Sequence, residues 1–409
     1  IGCWNLENNK LCSEIINLFE NNKNLQVQGV TDSGIDPKTK KTTDIPVSPN
    51  DLKKPKFEIL KKYIGELHKC FLDYQNQWPF LKSMFNTLYA DKNGNLYYVY
   101  NALLPIRGSG NYDWKGIIPG NTAYSMWRGY FPFDELPQVV NPKSGFLQNC
   151  NSTPFLATNG DDNPDKSFYP QNFGIELFQT NRALRAHETF GSDKSITREE
   201  FYQYKFDTKY STQSVMAVNL KKFLIEASSK DPDINEALKL LREWDLDTDS
   251  TSTATHLAIR AISPQFNPAD YDYDPEKIMH RLKKEVSWLK ENFGRLDVKW
   301  GDIQRLQRGK TDLSLSGGPD ILRAVYSKEK DDRYVGIAGD CFYEIVEWDL
   351  DGNVSAKSIH QFGTATQDTS SIHYDDQAQL FARHQMKPVW MKLEDIKLNL
   401  ERSYRPGEE

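Results

Sequence analysis

Two tight-turn sequences restrict the possible fold of this chain more than any other feature. Each has an Asn-Gly or Asp-Gly pair between two runs of β-forming residues. Such pairs favour hairpins because glycine and asparagine accept the positive φ that these turns require. The turns are Asp91–Asn95 and Asp349–Asn353, and the flanking runs are 87–90, 96–100, 341–348 and 354–361. We therefore predict an antiparallel hairpin at both places.

Helical patterns occupy much of the remaining sequence. Apolar residues recur at helical spacing, and Asp233 and the 195–199 segment supply residues suited to helix starts. Helices are predicted at 11–20, 57–85, 233–243, 275–293 and 376–386, helices dominate 181–246, and a further strand is predicted at 334–338. Without internal repeats, this mixture predicts an α+β fold. Residues 1–83 are expected to form a helical segment with a polar insertion at about 21–56, and 84–409 a second region.

Composition excludes several classes of protein. The 409 residues carry a formal net charge of -6 and show no basic stripe, so no nucleic-acid partner is expected. No run approaches the roughly 18 apolar residues of a membrane span. The five cysteines are scattered without a C-x-x-C spacing, which argues against a zinc site or a dense disulfide framework. A single disulfide bridge remains open.

The segment Asn149–Pro154 contains the first candidate site. It follows a strand-like approach, and an asparagine amide there offers a neutral N–H to the oxyanion that develops when an amide is hydrolysed. The alternative is that asparagines before a proline simply form a turn. Cys150 is a conceivable nucleophile, but no histidine lies nearby in sequence, and a buried structural cysteine is the favoured interpretation.

Other candidate sites have simpler explanations. The acidic run 245–250 lacks the glycine and the final glutamate of a calcium-binding EF-hand loop, so we reject that assignment. The Ser316–Asp320 segment lacks the lysine of a phosphate-binding loop. His373 is a conceivable general base, although a histidine that holds loops together is the favoured interpretation. Several arginines beside apolar residues are expected to be buried.

Several blocks in a fixed order together resemble the penicillin acylase and acyl-homoserine-lactone acylase family. The segment from Asn86 to Leu96 is similar to the family's N-T-x-x-A-D-x-x-G-N-I, and Gly145–Asn151 is similar to G-[YF]-x-x-N-x-N. The similar blocks lie at 84–91, 94–97, 104–107, 127–129, 132–133, 136–137, 141–142, 145–151, 181–185, 300–302, 305, 308–309, 316–318, 322–323, 371–377 and 404–408. The resemblance runs from about residue 84 to the end of the chain.

The resemblance implies an N-terminal nucleophile hydrolase with an αββα sandwich, present here in part, with helical and irregular additions. Asn151 would be the oxyanion-hole asparagine, and Arg182 would support it from behind. The family's precursor cleaves itself and exposes a serine whose own α-amine acts as base. Most members are exported, so a periplasmic or extracellular location is expected. No cofactor is expected apart from a structural calcium ion, for which Asp162 is the candidate ligand.

The sequence also departs from the family. Residue 1 is Ile, and no Ser-Asn start motif precedes the similar region. We expect this chain to be the carboxy-terminal part of the β chain, inactive by itself, with the α chain and the β chain's amino-terminal segment as its partners. The expected substrate is a small acyl amide, with the acyl group undetermined. The alternatives are a degenerate homologue that binds acylated ligands without hydrolysing them, and an unrelated extracellular binding or structural module.

Overall fold

A computed structural model describes most of the chain. The described residues are 9–29, 42–48, 50–77, 86–108, 112–114, 116–119, 122–170, 173–264, 267–403 and 405. The chain forms two compact units, residues 1–84 with 105–130 and residues 85–104 with 131–409. The predicted domains, 1–83 and 84–409, stay a prediction. Among the described residues, no helix has both the length and the apolar character that crossing a membrane requires.

In the described part of the first unit there are two α-helices, α1 and α2, whose existence the apolar spacing predicted. Helix α1 spans Asn9–Asn21 and α2 spans Glu58–Gln77. A 3₁₀ turn with Pro55 at its first position precedes α2 and buries Phe57, consistent with the preference of proline for helix starts. The predicted extension of α2 beyond residue 77 lies outside the described residues. Within the predicted polar insertion, strands β1 (Val27–Gln28) and β2 (Thr43–Asp44) pair antiparallel.

The second unit contains the other described helices, α3 to α11. They are Asn181–Glu188, Arg198–Lys205, Val215–Glu226, Pro232–Glu243, Thr255–Ile262, Pro275–Phe293, Trp300–Ile303, Ala378–Ala382 and Leu393–Leu398. Thr197, within the predicted 195–199 start, forms a capping box with Glu200 at the beginning of α4. Helix α11 lies beyond the last predicted helix and was not predicted. The predicted final helix is shorter than expected because His384 follows it with a left-handed backbone at φ 58°.

The described strands of the second unit form three sheets. The strands β3 to β12 are Thr87–Ala90, Leu96–Val99, Gln138–Val140, Gln304–Arg308, Thr311–Ser314, Val325–Lys330, Arg333–Gly339, Phe342–Trp348, Val354–His360 and Lys387–Pro388. Their orders are β3-β4-β5, β7-β6-β9-β8 and β10-β11-β12. Both predicted hairpins are confirmed, with Ala90 opposite Leu96 and Trp348 opposite Val354. The mixed helix and sheet content is therefore as predicted.

The two hairpin turns share one local arrangement. Asp91 Oδ1 accepts the N–H groups of Asn93 and Asn95 at 2.9 and 3.0 Å. The equivalent carboxylate of Asp349 closes the second turn in the same way. Gly94 has φ +80° in the first turn. This backbone conformation has a higher free energy for residues with a Cβ atom than for glycine. These turns form from their own residues, which is why the sequence alone predicts them.

The largest core cluster lies among helices α5 to α8. Helix α7 was not predicted, since its eight residues are fewer than the roughly 11 over which a helical period is recognised. Seven of them are buried, including the polar Thr255 and His256. A second cluster packs beneath the β3-β4-β5 sheet around Tyr98, and a third joins β6 and β11 to Phe381. Arg323 is fully buried, as predicted for some of the arginines, with its guanidinium 4.0 Å from the centre of the Phe381 ring.

Candidate functional site

Asn151 lies in a turn that three hydrogen bonds hold in place. Its backbone is left-handed, with φ 53°, a conformation that asparagine tolerates better than most residues. Asn149 Oδ1 accepts both the backbone N–H of Asn151 at 3.3 Å and Nδ2 of Asn86 at 3.2 Å. Thr180 donates its hydroxyl to the carbonyl of Cys150 at 2.9 Å. The segment therefore does form a turn, and this turn exposes the Asn151 side chain.

The structure brings both predicted site residues together. Arg182 Nη2 donates to Asn151 Oδ1 at 3.1 Å. Because a guanidinium only donates, the oxygen of the Asn151 amide must face it, and the Nδ2 group points elsewhere. Within the described part of the chain, Nδ2 of Asn151 donates to no protein acceptor. An N–H donor of known orientation is therefore available beside the turn.

Asp320 is the third residue in this series of hydrogen bonds, and the sequence did not predict it. Its Oδ1 accepts from Arg182 Nε at 3.2 Å and its Oδ2 accepts the backbone N–H of Asn181 at 2.7 Å. Asn181 Nδ2 also donates to the Asp320 carbonyl at 2.8 Å. Burial raises the pKa of Asp320, and the hydrogen bonds from Asn181 and Arg182 oppose that shift. The bonds join the start of helix α3 to the 316–320 loop.

The 316–320 segment therefore holds Asp320 in place beside Arg182. Gly317 has φ +98°, and a Cβ atom there would lie 2.2 Å from the carbonyl oxygen of Arg323. Trp300 Nε1 and Gln304 Nε2 both donate to the Gly317 carbonyl, at 2.8 and 3.0 Å. This packing presents Asp320 to Arg182. No sequence signal connects Asp320 to Asn151, because their connection exists only through tertiary contacts.

Cys150 has the properties of a structural cysteine. Burial raises the pKa of its thiol to about 11, so the thiol is neutral near pH 7. Among the described cysteines, Cys12, Cys150 and Cys341 are free thiols. Cys3 and the side chain of Cys70 lie outside the described residues, and the question of a single bridge stays open. These properties support the structural interpretation of Cys150 over the nucleophilic one.

A cavity of about 660 Å³ lies beside the Asn151 turn. Cys150 forms part of its wall, together with the strand-like segment that leads to Asn151. Most of its lining residues are apolar, namely Leu88, Ala90, Leu96, Phe146, Leu147, Ala186, Phe190, Ile196, Phe201 and Leu322. This volume lies within the range typical of small-molecule pockets, and its apolar character favours apolar ligand groups.

His373 contacts two carboxylates rather than a cavity wall. Its Nδ1 lies 2.8 Å from Asp376 and its Nε2 lies 3.1 Å from Glu401. The side-chain hydrogen bonds to these carboxylates raise the pKa of His373. The contacts tie the 371–377 loop to the tail of the chain, in agreement with the favoured interpretation of a histidine that holds loops together.

His384 makes the stability of the fold depend on pH. Its ring stacks on Phe206 and its Nε2 lies 2.9 Å from the Ser316 hydroxyl. Burial and the nearby charges of Arg323 and Lys205 lower its pKa to about 4, while Asp249 opposes them. The pKa is about 6.5 when unfolded, so stability is lost as the pH falls from that value towards 4.

The free energy of unfolding is expected to decrease between pH 7.5 and pH 5.5. We expect the substitution His384→Asn to make this decrease about 1 kcal/mol smaller. Asparagine accepts the left-handed backbone of this position and does not titrate. The measurement is the denaturant midpoint of both proteins across this pH range. The variant should keep part of the dependence, because burial also lowers the pKa values of His187 and His256. Identical pH profiles for the two proteins would contradict the assignment.

The predicted calcium ligand, Asp162, contacts cationic and N–H groups. Its Oδ2 accepts the backbone N–H of Lys143 at 2.7 Å, and the Lys143 ammonium lies 4.0 Å from Oδ1. Within the described ranges, no group of three or more His, Cys, Asp or Glu residues could hold a metal ion. The calcium site stays a prediction. In the rejected EF-hand loop, Asp245 and Asp247 each accept the N–H two residues ahead, which are ordinary turn contacts.

Comparisons with known proteins agree with the resemblance. The sequence profile of the penicillin amidase family matches residues 71–398, well over half of the chain. Penicillin G acylase from Escherichia coli is 42% identical over 69 residues, which are 17% of this chain and 8% of that protein. The chain thus matches less than a tenth of that relative's length. In the similar segments, residues 84–85, 404 and 406–408 lie outside the described residues.

Among solved structures, a thermostable penicillin G acylase from Alcaligenes faecalis is similar to this chain. The match covers 78% of this chain and 67% of that one, with 17% identity and a TM-score of 0.49. The family assignment rests on the sequence profile, which extends from the end of helix α2 to the end of helix α11. The chain belongs to the penicillin amidase family.

Proposed function

We propose that the complete protein of which this chain is a part hydrolyses N-acyl amide bonds, with a penicillin, an N-acyl homoserine lactone or a related acylated amide as substrate. The observation that carries the proposal is the Asn151 amide, whose oxygen Arg182 holds at 3.1 Å while its N–H group is left to donate. Family membership supports amide hydrolysis in general. The orientation of Asn151 supports the more specific role of this residue as an oxyanion donor.

The chemistry follows from where charge develops during the reaction. Attack on an amide carbonyl places negative charge on its oxygen, and a preoriented N–H donor stabilises that charge without reorganising. Asn151 Nδ2 donates this hydrogen bond. Arg182 donates to the other end of the same amide, which fixes the rotamer of Asn151 and polarises its N–H bonds towards the substrate.

Asp320 keeps Arg182 in position and balances its charge. The Arg182 side chain is mostly buried, and a buried guanidinium without a partner is costly. Asp320 accepts from Nε of Arg182 and leaves Nη2 directed at Asn151. Asp320 is therefore a positioning residue that acts through Arg182 and does not contact the substrate.

The nucleophile in this proposal is an N-terminal serine on a segment outside these 409 residues, with its own α-amine as base. An α chain and the amino-terminal segment of the β chain complete the site and the αββα sandwich. A precursor that cleaves itself and is exported to the periplasm or the cell exterior also belongs to the proposal. A structural calcium ion near Asp162 is the one bound group proposed. The chain by itself is inactive under this proposal.

The test is to express the complete gene and to determine the N-terminus of each mature chain. The purified protein is then incubated with N-acyl amides, and mass spectrometry of the quenched reaction locates the acyl group. We expect release of the free acid and an acylated serine at a newly formed N-terminus. A mature protein with no N-terminal Ser, Thr or Cys and no hydrolysis would contradict the proposal. Binding of acylated ligands without hydrolysis would identify the degenerate homologue instead.

A further inference from the structure

The segment from Asn141 to Asn151 is tied to the β3-β4 hairpin near both of its ends. At its start, Asn141 Oδ1 accepts the backbone N–H of Leu96 at 2.7 Å, and the Asn141 N–H donates to the Leu96 carbonyl at 2.8 Å. Near its end, Asn149 Oδ1 accepts from Nδ2 of Asn86 at 3.2 Å. Leu96 begins β4 next to the hairpin turn, and Asn86 precedes β3 at the open end. The hairpin is therefore a base against which the Asn151 turn is placed.

The orientation of the Asn149 amide follows from its contact with Asn151. The backbone N–H of Asn151 can only donate, so the Asn149 atom that lies 3.3 Å from it must be the oxygen. Because the same oxygen faces Asn86, the Asn86 atom at 3.2 Å must be the donating Nδ2. The three residues thus form one series of hydrogen bonds, in which the backbone N–H of Asn151 determines both amide orientations.

The contact between Asn149 and Asn151 is an Asx-turn, in which a side-chain oxygen accepts the N–H two residues ahead. Asn151 needs such a contact because its backbone is left-handed, with φ 53°. This conformation has a higher free energy than the right-handed one for a residue with a Cβ atom, and it persists where surrounding contacts stabilise it. The backbone of Asn151 in turn sets the direction in which its side chain leaves the turn.

Two different elements of the second unit therefore hold Asn151. Arg182, on helix α3, donates to the oxygen of its side-chain amide at 3.1 Å. The hairpin holds its backbone through Asn86 and Asn149. Neither contact alone fixes the direction of Nδ2, because the side chain rotates about its Cα–Cβ bond and the backbone has other allowed conformations. Both contacts are needed to aim the N–H donor.

Resting on the proposed function, we propose that Asn149 and Asn86 are positioning residues for amide hydrolysis, which act through the backbone of Asn151. Asn149 contributes an accepting oxygen to these contacts, and Asn86 orients Asn149. A catalytic donor must be held within about 0.5 Å of its productive position. Loss of either side chain should therefore lower kcat. KM should change little, because the substrate oxygen gains most of its negative charge in the transition state.

The first test is a double-mutant cycle on kcat in the complete protein, with one N-acyl amide substrate. Asn149→Ala should lower kcat by about 5- to 10-fold, which corresponds to the loss of one hydrogen bond. Asn86→Ala keeps the Asx-turn and should lower kcat by about 2- to 5-fold. In the Asn151→Gly background the donor is already absent, so Asn149→Ala should have no further effect. Equal losses of kcat in both backgrounds would overturn the inference, because a general effect on the fold does not depend on the donor.

Hydrogen–deuterium exchange of the Asn151 backbone N–H is a second readout that needs no catalysis. Mass spectrometry with fragmentation should show exchange about 5-fold faster in Asn149→Ala, whereas Asn149→Asp, which keeps an accepting oxygen, should not exchange faster. Asn267→Ala is the matched control. Asn267 is also half-buried and accepts the N–H of Ala269 at 3.0 Å, in the connection between α7 and α8. Its alanine variant should change neither kcat nor the exchange at Asn151, and an equal change in both variants would contradict the inference.

The two proposals fail in different ways. If the unmodified protein hydrolyses no amide, the proposed function is overturned, and the exchange at Asn151 still decides whether Asn149 holds this backbone. If the protein hydrolyses amides but Asn149→Ala changes neither kcat nor this exchange, the inference is overturned and the proposed function stands. Circular dichroism shows which variants fold. Asn86→Ala keeps the Asx-turn and replaces Asn149→Ala in the cycle if the latter does not fold.

Discussion

Replacing Asn151 with glycine is expected to lower kcat for amide hydrolysis by about 100- to 1000-fold in the complete protein. Glycine accepts the left-handed backbone of this position, so the turn should keep its shape while the N–H donor is lost. KM should change little, because the hydrogen bond strengthens only as charge develops on the substrate oxygen. Steady-state kinetics with one N-acyl amide substrate measure both constants.

Two further substitutions distinguish the effect of losing the N–H donor from the effect of backbone strain. Asn151→Asp keeps the shape of the side chain but has no N–H group, so we expect a loss at least as large as for glycine. Asn151→Ala also loses the donor and adds backbone strain at φ 53°, so its thermal midpoint should fall below that of the glycine variant. A glycine variant with the kcat of the unmodified protein would exclude Asn151 from the oxyanion site.

The substitution Gly317→Ala is expected to destabilise the second unit by about 3 kcal/mol. The added Cβ atom would lie 2.2 Å from the Arg323 carbonyl oxygen, and φ is +98°. Strain at a positive φ contributes about 1 kcal/mol and overpacking of a rigid interior contributes about 1–3 kcal/mol. Because Gly317 belongs to the loop that holds Asp320, activity should fall as well. Thermal unfolding measures the first effect and the hydrolysis assay measures the second.

Gly160→Ala is the matched control for this substitution. Gly160 has a similar φ of +82°, but no atom lies within 4 Å of the position that its Cβ would take. Its alanine variant should therefore lose only the contribution from backbone strain, about 1 kcal/mol. An equal decrease of the thermal midpoint in both variants would mean that the contact with Arg323 is absent in solution.

Much of the local structure could be predicted because its causes are close together in the sequence. The Asp91 turn is closed by bonds to residues two and four positions ahead, and Thr197 and Glu200 cap a helix within one turn. Helix α7 was missed for the opposite reason. Its eight residues are too few to show a clear period, and its burial, which includes Thr255 and His256, is provided by segments distant in the sequence.

Only part of the candidate site could likewise be predicted from the sequence. The resemblance located Asn151 and Arg182, but the bond between them spans 31 positions and the bond from Arg182 to Asp320 spans 138. Neither hydrogen bond can be predicted from composition or residue spacing. Nothing in the sequence around Asp320 indicates a role at this site, because its segment only resembles a phosphate-binding loop that lacks the lysine. The cavity likewise consists of apolar residues that, taken singly along the chain, are indistinguishable from those of the core.

The sequence by itself determined the hairpins, most of the helices and the family of this protein, because turns, caps and ordered motifs depend on neighbouring residues. The tertiary structure alone decided which end of the Asn151 amide is free, what holds Arg182, and that an apolar cavity adjoins them. Those properties arise from hydrogen bonds and packing between segments far apart in the chain, and they exist only when folding has brought these segments together.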